Sequence, residues 1–291
     1  MNRQQLLVAG AGVLLLLTLY FFGKTVPPLK KPVAEANGSG QGPSGGSAPK
    51  TIDLQEILQA ATSRLTPAQM AYTNRLANSV VRGDVKDQQL KAYRQLAAFW
   101  KDSVQDGYLL SAYYLGESAK LENSEKSLTF AAQLFLQGLR EQDDPALKSW
   151  MAKRAKELFE KALVLDPGSD SLKVGLGASS IFGGSSGDPQ QTMQGIQQIL
   201  EVARRDSANM YAQFMLGLGG IESGQIDKAV NRFTTVVRHE PGNVEARLLL
   251  AAADQQTGDK TGAVREYEAV KKLISNPDMI REIDQRIKSL H

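Results

Sequence analysis

Apolar and polar positions alternate along most of this chain with a helical period. From Thr51 onward apolar residues return every three or four positions, as at Leu76, Val80 and Val81, and a stripe of Leu90, Tyr93, Leu96, Ala97 and Trp100 runs through 88–104. This spacing predicts amphipathic helices. Further helices are predicted over 108–121 and 125–139, the second carrying Phe130, Ala131, Leu134 and Phe135. Start signals agree with the periodicity: Asp53 with Glu56 three residues on, Thr66 before Pro67, and Asp143-Asp144 before Pro145, which opens a long helix through Leu165. In 277–290, Met279, Ile280, Ile283, Ile287 and Leu290 share one face while the charges lie mostly elsewhere. That is the pattern of a helix covering the end of a stack. Strand signals are missing, so the predicted fold class is all-α.

A different pattern occupies the N-terminal region. Residues 6–23, LLVAGAGVLLLLTLYFFG, carry no charge, and at 1.5 Å per residue they extend roughly 27 Å as a helix, close to a bilayer core of about 30 Å. A transmembrane anchor is expected here, after a short tail at 1–5. A small-x-small sequence at Ala34-Glu35-Ala36 lies beyond Lys24, Lys30 and Lys31, too far from the apolar run for a cleaved signal peptide. Residues 24–50 are rich in Pro, Gly and Ser and show no apolar period, as in a linker.

The second half repeats itself. Ala155/Phe159/Ala162/Pro167, Gly195/Ile199/Val202/Ser207, Ala229/Phe233/Val236/Pro241 and Ala263/Tyr267/Val270/Ser275 share one internal spacing. The last three start 34 residues apart, and the first gap is 40, as if six residues had been inserted. Leu176-Gly177, Leu216-Gly217 and Leu250-Ala251 precede the later three signatures at corresponding places. This resembles the tetratricopeptide repeat, a pair of antiparallel helices that stacks on its neighbours. The resemblance implies tetratricopeptide-type helix-turn-helix repeats in a right-handed superhelix. Clear repeats are expected over 143–275 and degenerate ones over 51–142, where Leu115-Gly116 has the order used by the first helix of a unit, with a capping helix at 276–291. Departures from the family pattern are Ser180, Gly220 and Asp254 in place of an aromatic, and Gly195 and Ser207 in place of Ala and Pro.

The resemblance also implies which residues face the inner groove. They are Tyr211, Phe214, Leu218 and Ile221 in one unit, Val174 and Ile181 in the unit before, and Leu248 and Gln255 in the unit after. This lining is mostly apolar and lacks the Lys, Arg and Asn with which some family members grip a terminal carboxylate.

Composition narrows the chemistry. The 291 residues include no cysteine and two histidines, which excludes thiol catalysis, disulfides and cysteine-type zinc sites. His239 ends a predicted helix, where a donor complements the last carbonyls. Gly183-Gly184-Ser185-Ser186-Gly187-Asp188 resembles a phosphate cradle but is followed by Pro189-Gln190-Gln191-Thr192, without the Lys and adjoining Ser/Thr that phosphate binding needs. It reads instead as the lengthened turn of one repeat, and Trp100 and Trp150 read as core. The net charge is +3, but five of the 34 basic residues and only one of the 31 acidic ones precede Thr51. The helical region is therefore close to neutral, and a nucleic-acid footprint is not expected. No catalytic residue, cofactor or metal is expected.

These readings lead to a non-catalytic, membrane-tethered scaffold or co-chaperone of the cell envelope that binds other proteins or peptide segments in the repeat groove. The alternative is a homo-oligomeric structural envelope protein that uses the repeat faces as subunit interfaces. The arrangement is that of a single-pass protein of the bacterial cytoplasmic membrane with its repeats in the periplasm. Counting Arg3 against Lys24, Lys30 and Lys31 favours the opposite orientation, with the repeats facing the cytoplasm.

Overall fold

The computed structural model describes residues 52–82, 85–104, 107–183 and 189–290. Among them every regular element is a helix. The first six are α1 (Leu54–Thr62), α2 (Pro67–Arg82), α3 (Lys86–Ser103), α4 (Tyr108–Glu122), α5 (Glu125–Glu141) and α6 (Pro145–Leu165). They are followed by α7 (Asp170–Gly183), α8 (Pro189–Arg205), α9 (Met210–Glu222), α10 (Ile226–His239), α11 (Val244–Thr257), α12 (Lys260–Lys271) and α13 (Pro277–Leu290). The expected anchor at 6–23 and the linker at 24–50 lie outside the described residues. No described helix is long and apolar enough to cross a membrane.

The start signals act through hydrogen bonds. Asp53 accepts the N–H of Glu56 at 2.9 Å, Asp144 accepts those of Ala146 and Leu147 at 2.7 and 3.2 Å, and Thr66 and Gln69 cap each other's backbone N–H. One turn recurs where a unit's second helix hands over to the next unit. The carbonyls of Asp166, Asp206 and Glu240 accept the N–H of Ser169, Asn209 and Asn243 at 3.3, 3.2 and 3.0 Å. Each of those last three residues then caps the following helix, accepting from Leu172, Ala212 and Ala246. Ser207 therefore substitutes for proline without loss of the turn. Within units, Gly224 and Gly258 stand 34 residues apart with φ of 71° and 86°, a left-handed conformation that favours glycine.

The helices pack in consecutive pairs, α3/α4, α5/α6, α7/α8, α9/α10 and α11/α12, and the second helix of each pair also packs on the first helix of the next. The repeating signature is the core of this arrangement. Phe159, Ile199, Phe233 and Tyr267 are all buried, with their neighbours Ala162, Val202, Val236 and Val270. Each large side chain so placed contributes roughly 1.5–3 kcal/mol. Trp100 and Trp150 are core residues as well. At the end, α13 packs on α12 and buries Ile283 and Leu290 against Tyr267 and Val270.

Two details differ from the sequence reading. Leu115-Gly116 lie on α4, the second helix of its pair, because α4 pairs with α3. The boundary drawn at 142/143 separates α5 from α6, which form one pair. The sequence period could not place this pair, because the first clear signature begins inside α6.

Candidate functional site

The first helices of successive pairs line a groove with a cavity of about 770 Å³. One wall is α9, whose Tyr211, Met215, Leu218 and Glu222 follow each other at helical spacing, with Ile221 beside them. Its other sides pack on α7, α8 and α10, which explains why α9 is apolar nearly all round. The facing wall is α5, with Gln133, Gln137 and Arg140, and Glu245 and Leu249 of α11 close one end.

The electrostatics centre on Arg140. Its guanidinium lies 5.8 Å from the centroid of the Phe214 ring, a cation–π arrangement, and it forms an ion pair with Glu245. Phe214 meets Phe233 edge to face at 5.8 Å and 67°, so one side of its ring belongs to the core and the other supports Arg140. The Tyr211 hydroxyl is pushed up to about 12, chiefly by burial, with the charge of Arg140 opposing. It stays protonated at any physiological pH and is available as a hydrogen-bond donor.

The residues implied by the resemblance separate into two groups. Tyr211, Leu218 and Ile221 line the cavity, and Phe214 lies under Arg140 at its edge. Val174 and Ile181 are fully buried, at 0% exposure, and so cannot line the groove. The reason is local: α7 is packed on by α5, α6, α8 and α9, which leaves it no open face at these residues. Leu248 packs against the C-terminal cluster, and Gln255 is exposed on α11 away from the cavity. Reading the sequence missed Phe182, Met215 and Arg140, whereas Glu245 holds a groove position in the register of its unit. Met215 was recoverable as the position four residues after Tyr211, whereas Arg140 lies on a helix that carries no repeat signature.

Among the described residues no group of three or more His, Cys, Asp or Glu side chains could hold a metal. His239 closes α10, its Nδ1 lying 2.9 Å from the Thr235 carbonyl oxygen. The Gly/Ser turn falls between α7 and α8, and its residues 184–188 lie outside the described ones.

Residues 220–279 match the tetratricopeptide repeat family. The matched stretch runs from the end of α9 to the start of α13, and the same pairing and turns extend through the preceding helices. Residues 220–279 thus carry tetratricopeptide repeat sequence, and the helices before them follow the same paired arrangement. Among solved structures, MamA from Desulfovibrio magneticus RS-1 is similar at 20% identity and a TM-score of 0.40, over 63% of this chain and 94% of that one. YrrB, described as a TPR protein with an unusual peptide-binding site, is similar at 13% identity and a TM-score of 0.39, over 72% and 97%. No curated protein matches the chain in sequence.

Proposed function

We propose that the repeats are the binding module of a membrane-tethered scaffold or co-chaperone of the cell envelope, and that partner segments lie in the groove between α5, α9 and α11. The observation that carries this reading is the cavity of about 770 Å³ walled by Tyr211, Met215, Leu218 and Ile221. It is large enough for several side chains of a partner, and its apolar wall on α9 faces polar and charged groups that include Gln137, Arg140, Glu141 and Lys148. An apolar wall of this kind suits a hydrophobic or amphipathic segment.

The test uses the full chain crosslinked in its native membrane. Tyr211→Ala with Ile221→Ala should abolish capture of the parent protein's partner while the melting temperature changes by no more than about 2 °C. Retention of that partner by the double variant would refute the groove. Light scattering on the purified full chain addresses self-assembly, since a monomer at high concentration is incompatible with repeat faces serving as subunit interfaces.

The tether rests on the uncharged run 6–23 and the linker 24–50. On this reading the repeats are exported to the periplasm. Protease added to spheroplasts should digest the repeats. Digestion only after lysis would put them in the cytoplasm.

A further inference from the structure

Arg140 and Glu245 stand 105 residues apart, with the pairs α7/α8 and α9/α10 between them, yet they meet across the groove. Their environments are unequal. Arg140 is 26% exposed and rests on Phe214, whereas Glu245 is 54% exposed and has no second partner among the described residues. Among the described residues the Arg140 guanidinium donates to Glu245 alone, which leaves further N–H donors for a second acceptor.

A pair this open to water is weak. It shifts an equilibrium between two arrangements by no more than about fivefold, and ordinary salt screens it. The chain also contains a tight pair, Arg247 with Glu266, at 15% and 7% exposure and 2.5 Å, so an ionic tie in this fold need not be loose. The loose one is the one that spans the groove.

We propose that Arg140 and Glu245 form a strap across the groove, closed when it is empty and opened when a partner segment enters, so that the pair governs access to the walls on α9. This rests on the groove being the partner site. The fixed half of the strap is Arg140, held by the Phe214 ring. The moving half is Glu245, at the start of α11.

The chain has no cysteine, so introduced ones report alone in the full protein. Spin labels at Gln137→Cys on α5 and Gln255→Cys on α11 should give one narrow distance at low salt. Glu245→Gln should lengthen and broaden it, 1 M salt should do the same to the parent, and Arg140→Glu with Glu245→Arg should restore it. A second readout uses Ile221→Cys in the groove wall, whose reaction with a polyethylene-glycol maleimide should quicken threefold to fivefold with Glu245→Gln and return on charge reversal. Unchanged distances and an unchanged rate in Glu245→Gln would overturn the strap. The two failures are separable. If the strap fails while Tyr211→Ala with Ile221→Ala still loses the partner, the groove stands without a gate. If access changes while that double variant keeps its partner, the groove reading falls, and the strap as a gate for partners falls with it.

Discussion

Gly177 and Gly195 face each other where α7 crosses α8. A methyl group on Gly195 would stand 2.4 Å from the carbonyl oxygen of Gly177, and one on Gly177 would stand 2.8 Å from that of Gly195. The glycine that departs from the repeat signature at 195 thus lets two backbones touch. In the units around it the signature position holds alanine, at Ala155, Ala229 and Ala263, and all three are fully buried.

Gly195→Ala is therefore expected to destabilise the protein. Alanine gains up to about 1 kcal/mol in helix propensity over glycine. Against this, backbone oxygen cannot rotate away, so the helices must separate, and overpacking of this kind costs roughly 1–3 kcal/mol. A net loss of about 1–2 kcal/mol should appear as a lower urea midpoint with an unchanged slope. A variant as stable as the parent would show that α7 and α8 part freely.

Asp254 makes stability depend on pH. It stands where the repeat pattern has an aromatic residue, is 4% exposed, and shares its surroundings with Asp259, Arg265 and Glu266, the last held by Arg247. Its carboxyl is pushed up to about 6, first by burial and then by Asp259. With the folded value above the unfolded one, its contribution is fully present below about pH 4 and is lost as pH rises through 6. A shift of two units would be worth about 3 kcal/mol for an enclosed group, and the exposed Asp259 side of the turn reduces this to about 1–2. Asp254→Asn should raise the melting temperature at pH 7.5 and leave it nearly unchanged at pH 4. Equal effects at both values would remove titration as the cause.

The repeated part of the fold was legible because its signature residues are also its core. Phe159, Ile199, Phe233 and Tyr267 recur in sequence since each fills the same gap between two helices. The groove was legible only where that register holds with an open face, at Tyr211, Leu218 and Ile221. At Val174 and Ile181 the register is intact but α5 packs on α7, a contact with a helix that shows no repeat signature. The meeting of Arg140 with Glu245 depends on how two intervening pairs stack, and no local pattern records such a sum.

Two arginines offer a contrast in the worth of ion pairs. Arg247 donates to Glu266 at 2.5 Å and to the Pro241 carbonyl at 2.8 Å, and Glu266 is 5% exposed. Arg247→Ala leaves a buried carboxylate with Arg265 alone, and a loss of about 2–3 kcal/mol is expected. Arg281 pairs with Asp278 on α13, where both side chains are more than 70% exposed. Arg281→Ala should change stability by less than about 0.5 kcal/mol. Equal losses measured by urea unfolding would contradict the assignment of burial as the deciding factor.

The helix α13 should be indispensable to the last repeat. Ile283 and Leu290 are buried at 2% and 6% exposure, and beneath them Tyr267 and Val270 are at 1% and 0%. Removing 277–291 forfeits burial worth roughly 3–6 kcal/mol for the two α13 side chains and uncovers an apolar face of α12. The ion pair of Lys271 with Asp284, at 2.5 Å, adds little by comparison. Because neighbouring pairs support each other, the loss should begin at α11 and α12 and reach the earlier pairs more weakly. Hydrogen exchange should therefore show early loss of protection over 244–271 and near-parent protection over 108–165, with light scattering rising as the uncovered face associates. The milder Ile283→Ala should reproduce the same local pattern at a cost of about 2–4 kcal/mol. Parent-like protection over 244–271 in both variants would show that α13 does not carry the end of the stack.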